Sequence, residues 1–223
     1  PQGIAMLHLE HLAKVYGDRV VLRDVNASFA AGSVSLLAGN NGAGKSTLLR
    51  IVAGLARATS GTVRLADPAP VTAYLGHATF LYPGLSALEN LAFWNGVHEL
   101  RRSRQELLGL LEHVGLAAHA HERAGVFSRG MAQRLNLARV LMLRADLLLL
   151  DEPGTGLDAA SLALLRQEIR NARQRGAAVI IVSHDLQGDA PLADRILRLH
   201  KGRLAEESSG PAACAPAATE AAC

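Results

Sequence analysis

The sequence predicts an α/β fold in which a mainly parallel sheet is covered by helices, with an N-terminal antiparallel β lobe and a helical lobe. Three observations predict it. Short apolar runs at 33–38 (SVSLLA), 147–150 (LLLL) and 178–182 (AVIIV) alternate with stretches of helical period. Strands that are apolar throughout belong to a sheet buried on both faces. A glycine-rich stretch, 39–44, lies directly between the first run and a helix, and 86–128 carries helix signals without a strand pattern.

The elements follow in chain order. Residues 7–29 read as antiparallel β. The strand 33–38 leads through the glycine turn into a helix that runs to about Leu55. Residues 62–65 and 71–75 read as further strands. Ser86, with Glu89 three residues on, is a capping box that opens a helix over 88–94. Ser103 with Glu106 is a second, opening a helix over 106–114 that stops at Gly115. Ser128 reads as the N-cap of a helix over 129–143. The strand 147–150 is followed by a helix from Asp158 to about Arg175, ended by Gly176, and then by the strand 178–182. Residues 196–205, broken at Lys201-Gly202, read as a closing hairpin. The body is one domain, 6–207, with the helical lobe at about 78–128. The Ala/Pro-rich tail 208–223 has no apolar face to bury and is expected to be disordered.

The chain of 223 residues is long enough to bury a sizeable core. Hydrophobic residues at 49% and charged residues at 19% exclude wholesale disorder. A net charge of +3 is too small an excess to argue for nucleic acid. No apolar run approaches the roughly 18–20 residues that span a bilayer, and no basic-then-apolar leader opens the sequence. The only cysteines, Cys214 and Cys223, lie in the tail, which leaves no disulfide framework and no Cys metal cluster. The expectation is a reduced, cytosolic protein.

Gly39-Asn40-Asn41-Gly42-Ala43-Gly44-Lys45-Ser46 fits G-x-x-x-x-G-K-[ST], with the required strand before it and helix after it. Gly39, Gly42 and Gly44 let the backbone turn so that its N–H groups converge on phosphate oxygens. The helix that starts near Lys45 aims its positive end at the same anion. Lys45 reaches the β/γ-phosphates, and the Ser46 hydroxyl suits Mg²⁺. A second strand ends in Asp151-Glu152, and the C-terminal ends of parallel strands are where ligands bind in such sheets. Asp151 is placed to hold Mg²⁺ through water, and Glu152 to polarise an attacking water. Ser128-Arg129-Gly130 opens the helix before that strand, Gly156-Leu157-Asp158 follows the carboxylates, and Ser183-His184-Asp185 follows the strand 178–182.

Taken in this order, these motifs resemble the ATP-binding subunit of ABC transporters, over about residues 6–207. The resemblance implies an ABC nucleotide-binding domain with ATP and Mg²⁺ as cofactors. It implies that Tyr16 stacks on adenine and that Gly39, Asn40, Asn41, Gly42, Ala43, Gly44, Lys45, Ser46 and Thr47 cradle the phosphates. Glu152 would be the general base, and His184 would hold the γ-phosphate and the water. Ser128 and Gly130, with Arg129 between them, would contact ATP held by a second ATP-binding subunit, and Asp158 would lie across that interface. Two copies closing over two nucleotides would form a symmetric homodimer. Because the chain has no apolar span, the pore would be a separate integral membrane subunit, with this chain peripheral on the cytoplasmic face of the membrane.

Two further departures set this sequence apart within the resemblance. Phe127-Ser128-Arg129-Gly130-Met131 replaces the usual L-S-G-G-Q, and His77 stands where the loop into the helical lobe normally carries Gln. Gly76-His77, with Ala87-Leu88-Glu89-Asn90-Leu91 and Phe93-Trp94 after it, is similar to the branch that serves cytochrome c maturation. That implies haem export or ATP-driven release of a haem-loaded chaperone. The alternatives are an exporter of a drug, lipid or polysaccharide and, further off, a non-transport ABC ATPase. The latter is disfavoured by the short spacer from Lys45 to Ser128, which lacks heptads and Cys pairs. His119-Ala120-His121 is read as a solvated turn rather than a haem site.

Overall fold

The computed structural model describes residues 5–76 and 78–207. The N-terminal lobe is a three-stranded antiparallel sheet of β1 (Ala5–Tyr16), β2 (Arg19–Ala30) and β4 (Ser60–Leu65), in the order β2-β1-β4. The strand near residues 62–65 therefore joins this lobe rather than the parallel sheet. Its partner is β1, through pairs such as Leu9 with Val63. Gly61 permits the approach, because a Cβ there would lie 2.3 Å from the His11 carbonyl oxygen.

The central sheet has six strands. They are β3 (Val34–Ala38), β5 (Thr72–Leu75), β6 (Leu147–Asp151), β7 (Ala178–Val182), β8 (Arg195–His200) and β9 (Arg203–Glu207), in the order β5-β6-β7-β3-β8-β9. All pairings are parallel except β8 with β9, the closing hairpin. Every residue of β3, β6 and β7 is buried, as continuous apolar runs require. Burying one leucine of this kind contributes about 1.5–3 kcal/mol. Leu149 is fully enclosed, so truncating it to alanine would cost about 2–5 kcal/mol.

Helix α1 (Lys45–Val52) covers one face of the sheet. It ends three residues before Leu55, where Gly54 takes a φ of 72° and turns the chain. Helices α2 (Ala87–Val97) and α3 (Arg104–His113) open on the two capping boxes read from sequence, Ser86/Glu89 and Ser103/Glu106. They pack Leu88, Leu91, Leu107 and Leu111 onto α4 (Arg129–Met142), whose N-cap is Ser128. Helix α5 (Ala159–Gln174) is capped by Asp158, which accepts from the Ser161 N–H at 2.8 Å. The short α6 (Leu186–Asp189) was not foreseen. It is too short for periodicity, and it is fixed from outside by Arg166, which donates to Asp185 and Asp189. None of the described helices is long and apolar enough to cross a membrane. The expected disordered tail, 208–223, lies outside the described residues.

Candidate active site

The parallel register brings the ends of β3, β6 and β7 to one edge, and the motif residues meet there. The glycine turn leaves β3 at Gly39, whose φ of 145° and close approach to β8 exclude a side chain. A Cβ on Gly39 would stand 2.4 Å from the Leu199 carbonyl oxygen. Gly42 and Gly44 also take positive φ, 75° and 108°. Lys45 is buried, and its Nζ donates to the carbonyls of Gly39 at 2.6 Å and Asn40 at 3.1 Å, which stretches the side chain back along the loop. Asn40 and Asn41 are exposed at the loop's tip, and Ala43, Ser46 and Thr47 are half-buried.

Ser46 and Asp151 come together across 105 positions of sequence, with the Ser46 hydroxyl donating to Asp151 Oδ1 at 2.9 Å. Asp151 is buried, and its Oδ2 accepts from the Tyr74 hydroxyl at 3.0 Å. A hydroxyl oxygen beside a carboxylate is the oxygen donor set that suits Mg²⁺. The site therefore fits the ion, with Ser46 and Asp151 as the residues that would hold it. Burial and the Asp151 carboxylate push the Tyr74 hydroxyl up to about 12, so it stays a donor. Tyr74 went unnoticed as a site residue in the sequence. The signal was the glycine two positions on, since a Cβ on Gly76 would lie 2.4 Å from the Tyr74 hydroxyl oxygen.

Glu152 is the next residue, with a φ of 54°. A left-handed backbone at a non-glycine residue is uncommon, and such strain collects at functional sites. Its N–H donates to the Val182 carbonyl at 2.9 Å, which fixes the turn. The carboxylate then meets His184 at the end of β7, with Oε1 3.0 Å from Nε2 and Oε2 accepting from the His184 N–H at 3.2 Å. Burial raises the Glu152 carboxyl above its ordinary range, and His184 opposes the rise. A raised carboxyl is a better proton acceptor once ionised.

Of the remaining expected residues, Arg129 shares a cavity with this cluster and the others fall elsewhere. Ser128, Gly130 and Asp158 line one open cleft of about 240 Å³, together with Gly156. Gly130 must be glycine, since a Cβ would lie 2.9 Å from the Gly156 carbonyl oxygen. Arg129 points to the other side and lines a cavity of about 100 Å³ with Thr79, Gln133, Glu152 and Thr155. Tyr16 is 52% exposed at the end of β1, with Lys14 Nζ 4.4 Å from its ring centroid. His77 lies outside the described residues. His119 ends on a short 3-10 turn and pairs with Glu122 at 3.1 Å.

The family model described as "ABC transporter" matches residues 22–155. The chain belongs to the ABC transporter family. The "Uncharacterized ABC transporter ATP-binding protein YdbJ" of Bacillus subtilis is 34% identical over 92% of this chain and 69% of its own. The "Aliphatic sulfonates import ATP-binding protein SsuB" of Burkholderia thailandensis is 37% identical over 94% of this chain, which spans 62% of that relative's length. The solved "Structure of ATP binding subunit of ABC transporter" superposes with a TM-score of 0.83 at 27% identity, covering 91% of this chain and 89% of that one. The ABC fold thus agrees with the expected architecture of antiparallel lobe, mainly parallel core and helical lobe.

Proposed function

We propose that this ABC protein binds ATP with Mg²⁺ and hydrolyses it as a pair of identical subunits, driving a separate membrane transporter from the cytoplasmic face. The observation that carries this reading is the convergence of Glu152, His184, Asp151, Ser46 and Lys45 on one edge of the sheet. Phosphate oxygens lie against the amides of 42–47, and Lys45 turns from the Gly39 and Asn40 carbonyls to the β/γ-phosphates. Ser46 and Asp151 would hold Mg²⁺, which would neutralise phosphate charge. Glu152 accepts the proton of the attacking water, and His184 fixes both the Glu152 carboxylate and the water's position. Tyr16 offers its ring to adenine. Ser128, Gly130 and Asp158 of the second copy close over the γ-phosphate, and Arg129 adds a cation near Glu152. Phosphate release measured for the wild type and for Glu152→Gln tests the reading. Equal rates would refute it.

For the cargo, the reading is haem export or haem-chaperone release in cytochrome c maturation. Gly76-His77, the Ala87-Leu88-Glu89-Asn90-Leu91 helix start and Phe93-Trp94 support it. His77 takes the place that usually couples the nucleotide to the membrane partner. The sulfonate-import name of a 37%-identical relative favours a second reading, import of an organic sulfonate. A strain carrying only the Glu152→Gln form separates the two. Loss of covalent haem on c-type cytochromes, with growth on an aliphatic sulfonate as sole sulfur source intact, supports the first. The reverse pattern supports the second.

A further inference from the structure

Arg139 is buried in α4 without a carboxylate partner among the described residues. Burial alone pulls its pKa down to about 10, so enclosing it is costly, and replacing such a group by an apolar side chain is often neutral or better for stability. Its retained contacts run in two directions. Toward the helical lobe, the guanidinium lies 5.5 Å from the Phe80 ring centroid and 5.4 Å from that of Trp94. These rings are tied to each other, since the Trp94 indole N–H donates to the Phe80 carbonyl at 3.0 Å. With His98, Leu55 and Leu143 they line a groove of about 180 Å³ between lobe and sheet. Toward the sheet, Arg139 Nη2 donates to the Tyr74 carbonyl at 2.9 Å, and Asn136 Oδ1 holds the same fork.

Tyr74 carries the line to the carboxylate. Its hydroxyl donates to Asp151 Oδ2 at 3.0 Å and leaves Oδ1 on Ser46. Both oxygens of the carboxylate that would hold the ion are therefore oriented, one of them by a strand residue whose own carbonyl is gripped from the lobe. The helix that grips it is the one capped by Ser128.

We propose that Tyr74 and Arg139 are positioning residues: Tyr74 sets the orientation of the Asp151 carboxylate for its cation, and Arg139 sets Tyr74 according to the packing of the Phe80–Trp94 groove. This rests on the assignment of Asp151 as a metal holder. A displacement of the groove's aromatic wall moves the guanidinium, and the Tyr74 backbone moves with it. Phenylalanine at 74 keeps the ring and removes the hydroxyl's contacts to Asp151 and Arg50. Lysine at 139 keeps the charge and loses the planar fork that bridges Tyr74 and Asn136.

The test is Mn²⁺ binding by the full chain in the presence of ADP, read by electron paramagnetic resonance. Outer partners of a ligand typically govern affinity by about 10–100-fold. Tyr74→Phe is expected to weaken Mn²⁺ by about tenfold with a broadened spectrum. Arg139→Lys is expected to weaken it in the same direction and to add nothing in the Tyr74→Phe background, since both act through one hydroxyl. If Arg139→Lys fails to fold, Trp94→Leu probes the same wall, with the same expected non-additivity. Wild-type Mn²⁺ affinity in Tyr74→Phe, or full additivity of the lobe-side variant, overturns the proposal. Wild-type affinity in Asp151→Asn would instead overturn the assignment of Asp151 on which it rests.

Discussion

His184 meets Glu152 at two points: its ring Nε2 lies 3.0 Å from Oε1, and its backbone N–H donates to Oε2 at 3.2 Å. Two elements far apart in sequence thereby fix one carboxylate in both position and rotation. A general base acts on a proton only within hydrogen-bond reach. Glu152→Gln keeps the shape and the backbone contact but cannot accept a proton. It is expected to bind ATP as the wild type does and to release phosphate about 10²–10⁴-fold more slowly. Filter binding and phosphate release on the same preparation check both halves.

The pH dependence follows from the same pair. Burial raises the Glu152 carboxyl, and His184 lowers it. A general base works ionised, so under the proposed role hydrolysis should fall as pH drops through the raised value. His184→Ala removes the ring that opposes burial but keeps the backbone N–H, and the acid limb of the kcat profile should move to higher pH. Stability runs the other way. A folded pKa above the unfolded one contributes stability that is present at low pH and lost as pH rises through the folded value. Glu152→Gln should therefore gain Tm relative to the wild type on the alkaline side of that value. Parallel kcat and Tm series across pH test both signs.

Lys45→Ala removes the cation proposed to meet the phosphates. A hydrogen bond to a charged group contributes about 1.5–3 kcal/mol, so ATP affinity should fall about 10–100-fold. Calorimetric titration with ATP measures it, and an unchanged Kd would remove Lys45 from the site.

Gly39→Ala should be damaging for a backbone reason. The added Cβ would lie 2.4 Å from the Leu199 carbonyl oxygen at a φ of 145°. Overpacking of this kind costs about 1–3 kcal/mol. Thermal melts should show the loss, and nucleotide binding should fall with it. Gly84→Ala, where an added Cβ meets nothing within 4 Å, is the control.

Much of this molecule is legible in its sequence because the signals are local. The buried strands β3, β6 and β7 read as apolar runs, and both capping boxes sit three residues apart as the rule requires. The phosphate loop and the Asp151-Glu152 pair are contiguous motifs. What stayed hidden depends on tertiary register. β4 looks like any short strand until it pairs with β1. Tyr74 reads as a strand aromatic until parallel pairing with Leu149 sets it beside Asp151. Arg139 reads as a polar residue of a helix, and only the packing of α4 under the lobe buries it. Arg129 and Gly130 are neighbours that face different cavities, which no motif spells out.

In the proposed mechanism the hydrolytic site is completed by a second copy, with Ser128, Gly130 and Asp158 closing over a nucleotide held by the opposite loop. Ligand that bridges two copies shifts the monomer–dimer balance by mass action. Sedimentation of Glu152→Gln, with and without ATP and Mg²⁺, measures this directly, because the variant is expected to hold ATP without consuming it. A monomer is expected without nucleotide and a dimer with it at concentrations on the order of tens of micromolar. Ser128→Arg in the same background should abolish the shift. A monomer under both conditions would refute the composite site.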